Sequence, residues 1–62
     1  MKQVLIKYRS PTRDPKESFM PLFLYTEFLD VIKETEQTVT VRYDCSEFYT
    51  YEFDKKYIEL YR

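Results

Sequence analysis

The chain has 62 residues, 44% hydrophobic and 34% charged, with a formal net charge of −1, one Cys, and neither His nor Gly. A chain this short is a single domain, residues 1–62, near the lower limit for independent folding, able to bury only about 60% of its unfolded surface. The lone Cys45 excludes an internal disulfide, the missing His removes the commonest proton shuttle and metal ligand, and the missing Gly removes the loop that cradles phosphates.

In chain order, Lys2 to Arg9 alternates, with Val4, Ile6 and Tyr8 on one side and Gln3, Leu5, Lys7 and Arg9 on the other. That is the period of a half-buried strand. Residues 10–21 hold three prolines, which remove amide donors and push their neighbours toward extended geometry, so this stretch is a long loop. At about 12 residues it is as long as compact domains tolerate without a purpose, and it is the first place to look for a contact surface.

Leu22 to Gln37 admits two readings. As a helix near 26–36, Thr26 caps it and Phe28, Leu29, Val31 and Ile32 share one broad face. As strands, Leu22 to Tyr25 and Phe28 to Thr35 run extended, and Glu36-Gln37 makes the turn into the next strand. The absence of Gly weighs against tight turns that need positive φ. On balance we expect strands.

The C-terminal half is the most regular. Thr38 to Asp44 puts Val39, Val41 and Tyr43 on one face and polar residues on the other, the pattern of a strand. After a turn at Asp44-Cys45-Ser46-Glu47, the alternation Tyr49, Tyr51, Phe53 predicts a second strand over Phe48 to Phe53, paired with the first as a hairpin. Asp54-Lys55-Lys56 breaks the pattern. Tyr57 to Tyr61 then closes the chain, with Ile58 and Leu60 facing opposite to Tyr57, Glu59 and Tyr61.

The stretch Asp30 to Asp44, followed by Phe48-Tyr-Thr-Tyr-Glu-Phe53 and Tyr57-Ile-Glu-Leu60, resembles the central strands of SH3-like barrels of the Tudor and KOW type. The shared order is a Val/Ile strand, a polar turn, a Thr-Val-Thr-Val strand, an aromatic strand, and a short turn before a final Ile-Glu-Leu. The resemblance covers about half the chain, which departs from the pattern by lacking the usual Gly between its third and fourth strands. It implies a fold and a general habit of binding proteins or nucleic acids, and it carries over no individual ligand-binding residue. The expected fold is all-β, a small antiparallel SH3-like barrel or meander. The alternative is α+β, one helix near 26–36 on a three- or four-stranded antiparallel sheet.

The residues offer little chemistry. Cys45 has no His to activate it, and the paired carboxylates Glu34 with Glu36 and Asp44 with Glu47 fit solvated turns and strand faces. No enzymatic activity, cofactor or metal is expected. No run approaches the roughly 20 apolar residues of a membrane crossing, and no apolar segment follows Lys2, so the expectation is a soluble, cytoplasmic protein.

Surfaces remain. Seven Tyr and five Phe exceed what so small a core encloses. With Tyr49, Tyr51 and Phe53 inward, Phe48 points out and Tyr57 and Tyr61 join it as an exposed rim, since tyrosine is favoured at interfaces. Residues 1–16 carry five basic side chains against one acidic, a net of +4, whereas residues 17–62 carry five against ten, a net of −5. The asymmetry reads either as cross-strand pairing within the fold or as a basic arm, with Arg9, Arg13 and Lys16 among its members.

The leading expectation is a protein-binding module or small inhibitor, of the kind phages and mobile elements encode, that blocks a host or defence enzyme. Its contact residues would be Phe48, Tyr57, Tyr61, Arg9, Arg13 and Lys16. The alternative is a small nucleic-acid-binding domain in which the basic segment touches phosphates and exposed rings stack on bases. Self-association would also let a small domain gain buried area.

Overall fold

The computed structural model describes residues 2–13, 18–43 and 49–62. It is all-β: one open sheet of five antiparallel strands in the order β4-β3-β2-β1-β5, consistent with a small SH3-like barrel or meander. The strands are β1 (Gln3–Ile6), β2 (Leu29–Glu34), β3 (Thr38–Arg42), β4 (Thr50–Asp54) and β5 (Ile58–Tyr61). Short 3-10 turns occupy Leu22–Thr26 and Lys55–Tyr57.

The helical alternative near 26–36 is overturned by β2, where Leu29 pairs with Val4, and Val31 with Val41. β-Branched Val31 and Ile32 favour this extended form. The extended reading of Leu22 to Tyr25 is corrected as well, because Pro21 starts a 3-10 turn there. The Leu24 amide donates to the Pro21 carbonyl at 3.0 Å, and the Thr26 hydroxyl closes the turn on the Phe23 carbonyl at 2.8 Å. Thr26 thus ends a turn and caps no helix.

The first strand stops at Ile6. Lys7 to Ser10 is a turn in which the Ser10 amide and hydroxyl both donate to the Lys7 carbonyl, at 3.1 and 2.7 Å, and Arg9 takes φ 63°. The turn carries Tyr8 out of line with Val4 and Ile6, leaving it exposed while its ring edge meets Tyr25 at 5.9 Å. The loop beyond is tied by a bridge between Pro11 and Phe19 and by the Thr12 amide donating to the Ser18 carbonyl at 2.8 Å.

The core lies on one face of the sheet. Val4 and Ile6 of β1, Leu29 of β2, Val39 and Val41 of β3, and Tyr51 and Phe53 of β4 point into it. Met20, Leu24 and Tyr25, from the connection between β1 and β2, cover that face. The Tyr25 hydroxyl donates to the Ser10 carbonyl at 2.6 Å and accepts the Met20 amide at 3.1 Å, so one buried ring fixes both ends of the loop.

Two bulges shift the alternation. In β2, Val31 pairs with Val41 but Lys33 with Thr40, so Ile32 is the extra residue and is exposed. Along β5, Ile6 pairs with Ile58 but Leu5 with Leu60, so Glu59 is the extra residue. A bulge inserts one position, which reverses the facing of the later residues in its strand. Ile58 therefore packs against the core while Leu60 is exposed, and the two do not share a face as their spacing predicts.

Candidate functional site

At the end of the β3–β4 pair the core opens into a groove. The Tyr43 amide donates to the Tyr49 carbonyl at 3.0 Å, adding one rung beyond Arg42 and Thr50. Alternation points Tyr43 and Tyr49 to the same side as Val41 and Tyr51, but the covering residues end at Leu24. The result is a groove of about 370 Å³ lined by Pro21, Phe23, Leu24, Tyr43 and Tyr49.

Its walls come from two distant segments. The 3-10 turn Leu22–Thr26 buries Leu24 and Tyr25 and leaves Leu22 and Phe23 in solvent, since a single turn presents only part of its surface to the core. Phe23 meets Tyr43 edge to face, with ring centres 5.7 Å apart and planes at 86°. That contact rigidifies one wall. Phe23 and Tyr49 remain 59% and 56% exposed, large rings held apart from the packed interior. Among the described residues, no charged side chain lines the groove. It can take an apolar or ring-bearing group, with the tyrosine hydroxyls as its polar handles.

Of the residues singled out from the sequence, Arg9, Arg13, Tyr57 and Tyr61 lie elsewhere. Arg9 is exposed on the turn after β1, its guanidinium 5.6 Å from the Tyr8 ring. Arg13 is exposed near the edge of β4, with its Nε 3.6 Å from Asp54 Oδ1 and its amide donating to the Glu52 carbonyl at 2.8 Å. Tyr57 is half-buried against the core, under the Lys56 ammonium at 5.1 Å. Tyr61 is about half exposed on the far edge strand β5, with Lys2 5.2 Å from its ring. Phe48 and Lys16 lie outside the described residues. Arg13 and Tyr61 are thus at opposite edges of the sheet, and the four described residues form no single patch.

Tyr49, expected inward with Tyr51 and Phe53, is instead a groove wall. Sequence reasoning also passed over Phe23, because Leu22 to Tyr25 reads as an extended strand following the loop at 10–21. Its signal was Pro21: a proline inside an apolar run starts a turn, and a turn cannot bury every residue.

Part of the basic N-terminal segment is paired within the fold. Lys2 Nζ and Lys55 Nζ each sit 2.8 Å from a different oxygen of Glu34. These two bonds hold the Glu34 carboxyl down at about 2, and the bond to Glu34 raises Lys2. With Arg13 near Asp54, two of the five cations counted in the basic arm face carboxylates of the acidic part.

No helix among the described residues is long and apolar enough to cross a membrane. No family model matches the chain, and neither a curated protein nor a solved structure is similar to it.

Proposed function

We propose that this chain is a non-enzymatic protein-binding module that receives an apolar side chain of a partner's extended segment in the groove at the end of β3 and β4. The observation that carries the reading is the ring-walled opening between Pro21, Phe23, Tyr43 and Tyr49, which no charged side chain lines among the described residues. Exposed aromatic rings around a pocket dominate protein recognition, because they bury large areas at little rotamer cost. The pairing of Lys2 and Arg13 with carboxylates favours a protein partner over the phosphates of a nucleic acid. The fold reading behind it is an SH3-like barrel. It is supported by the Val/Ile strand β2, the Thr-Val-Thr-Val strand β3, the aromatic strand β4 and the short turn before β5.

The test is affinity capture at physiological salt with the wild-type chain and with the double variant Phe23→Ala, Tyr49→Ala. Both residues are exposed, so the variant should keep the wild-type thermal midpoint within a few degrees. Proteins held by the wild type should fall at least tenfold on the variant. An unchanged bound set would overturn the groove as the contact site.

A further inference from the structure

Arg42 stands out among the charged residues of the fold. It is half-buried at the end of β3, and its Nε is shielded from solvent with no hydrogen-bond acceptor. Among the described residues its guanidinium has no hydrogen bond, ion pair or ring contact. The other arginines do better: Arg13 has Asp54, Arg9 has the Tyr8 ring and Arg62 has the Phe28 ring at 4.9 Å. The carboxylate directly across from Arg42, on Asp30, accepts instead from Gln3 Nε2 at 2.9 Å. A guanidinium carries five donors in a fixed fork; here the Nε–H is the one shielded from water without an acceptor, and leaving a shielded donor unpaired is costly. That cost is recovered when an acceptor arrives from outside.

Its position connects it to the groove. Arg42 pairs across the ladder with Thr50, and the next rung outward is Tyr43 with Tyr49. Successive side chains point to opposite faces, so the groove and Arg42 occupy the same end of the β3–β4 pair, one rung apart on either side of the sheet. β4 is an edge strand, so an extended chain can pass over it and touch both. Thr40 and Thr50 share the Arg42 face and add hydroxyl donors. Among the described residues Asp30, Glu52 and Asp54 lie on that face too, balanced by Arg42, Lys33 and the Arg13 that sits beside Asp54. Such a neutral neighbourhood accepts one more negative charge beside a guanidinium fork and disfavours the two of a phosphate.

Resting on the groove reading above, we infer that Arg42 pairs with an aspartate or glutamate of the partner segment, next in space to the apolar residue the groove takes. The ligand is an extended peptide with an apolar anchor and a carboxylate at a fixed offset from it.

A displayed library of random peptides, selected on the wild-type chain and on Arg42→Gln and Phe23→Ala variants, tests this. The wild type should enrich peptides that share an apolar or aromatic anchor and an acidic residue at one spacing. Arg42→Gln should keep the anchor, lose the acidic preference and bind the wild-type peptides at least tenfold more weakly. Changing the peptide acid to its amide should cost the wild type the same factor and cost Arg42→Gln nothing further. Arg42→Lys, which retains the charge without the fork, should fall between and serves in place of Arg42→Gln should that variant not fold. Anchors without an acidic position, or an acidic preference that survives Arg42→Gln, would overturn the role of Arg42 and leave the groove standing. A phosphoserine at the acidic position that binds more tightly than aspartate would overturn the choice of carboxylate. Enrichment of no sequence at all would overturn the groove reading and this inference with it.

Discussion

Tyr25 does more than fill space. Its hydroxyl is buried between the Ser10 carbonyl and the Met20 amide, and burial pushes its pKa up despite the opposing bond from Met20. Tyr25→Phe leaves both backbone groups without a partner, which should cost about 1–3 kcal/mol in urea unfolding. Because Met20 precedes Pro21, the same change should loosen one groove wall and broaden the amide signal of Phe23. Arg9 shows the opposite economy: a non-glycine residue at φ 63° is strained, and Arg9→Gly should stabilise by about 0.5–1 kcal/mol. Glu34 gives a pH signature. Its folded pKa, about 2, lies below its ordinary value of 4.5, so its contribution is full above 4.5 and is lost as pH falls toward 2. Urea midpoints measured from pH 5 to pH 2 should therefore fall more steeply for the wild type than for Glu34→Gln.

At the scale of elements, the turn from β2 to β3 shows how a chain without Gly makes a tight hairpin. Glu36-Gln37 is the two-residue loop expected from the sequence, and the Thr35 amide donates to the Thr38 carbonyl at 2.9 Å. A side chain takes over work usually left to backbone conformation. Thr35 Oγ1 accepts the Gln37 and Thr38 amides at 3.3 and 3.0 Å and lies 2.8 Å from Thr38 Oγ1. Thr35→Ala should cost about 0.5–2 kcal/mol and speed amide exchange at Thr38, while Thr35→Ser should restore most of both. The alternation of Val39, Val41, Tyr51 and Phe53 was legible because β3 and β4 pair without a slip, so a two-residue period maps directly onto facing. Ile32 and Glu59 were not, because a bulge is set by the partner strand and leaves no mark on local periodicity. The groove was illegible for a related reason. Tyr43 and Tyr49 continue the inward alternation past the point where Leu24 stops covering it, and only the path of the chain from Pro21 decides where that point falls.

The whole molecule meets its size expectations as a lone chain. Its accessible surface is 4473 Å², against about 4,300 Å² for a compact monomer of this mass. The Cα radius of gyration is 10.2 Å, against about 10.6 Å for a chain of this length. The exposed rings at the groove therefore coexist with a compact body. The core beneath is still thin. At 62 residues the expected unfolding free energy is about 3–9 kcal/mol. Phe53 is fully buried, pairs across the ladder with Val39 and meets the Tyr25 ring edge to face at 6.4 Å. Truncating a buried Phe to Ala costs about 3–5 kcal/mol, most of that margin. Phe53→Ala should unfold the chain at or below body temperature by far-ultraviolet circular dichroism. Leu60→Ala, on the exposed face of β5, should stay within about 0.5 kcal/mol of wild type. A large loss at Leu60 would mean that β5 is covered by a second copy in solution, which sedimentation velocity across a hundredfold range of concentration would reveal.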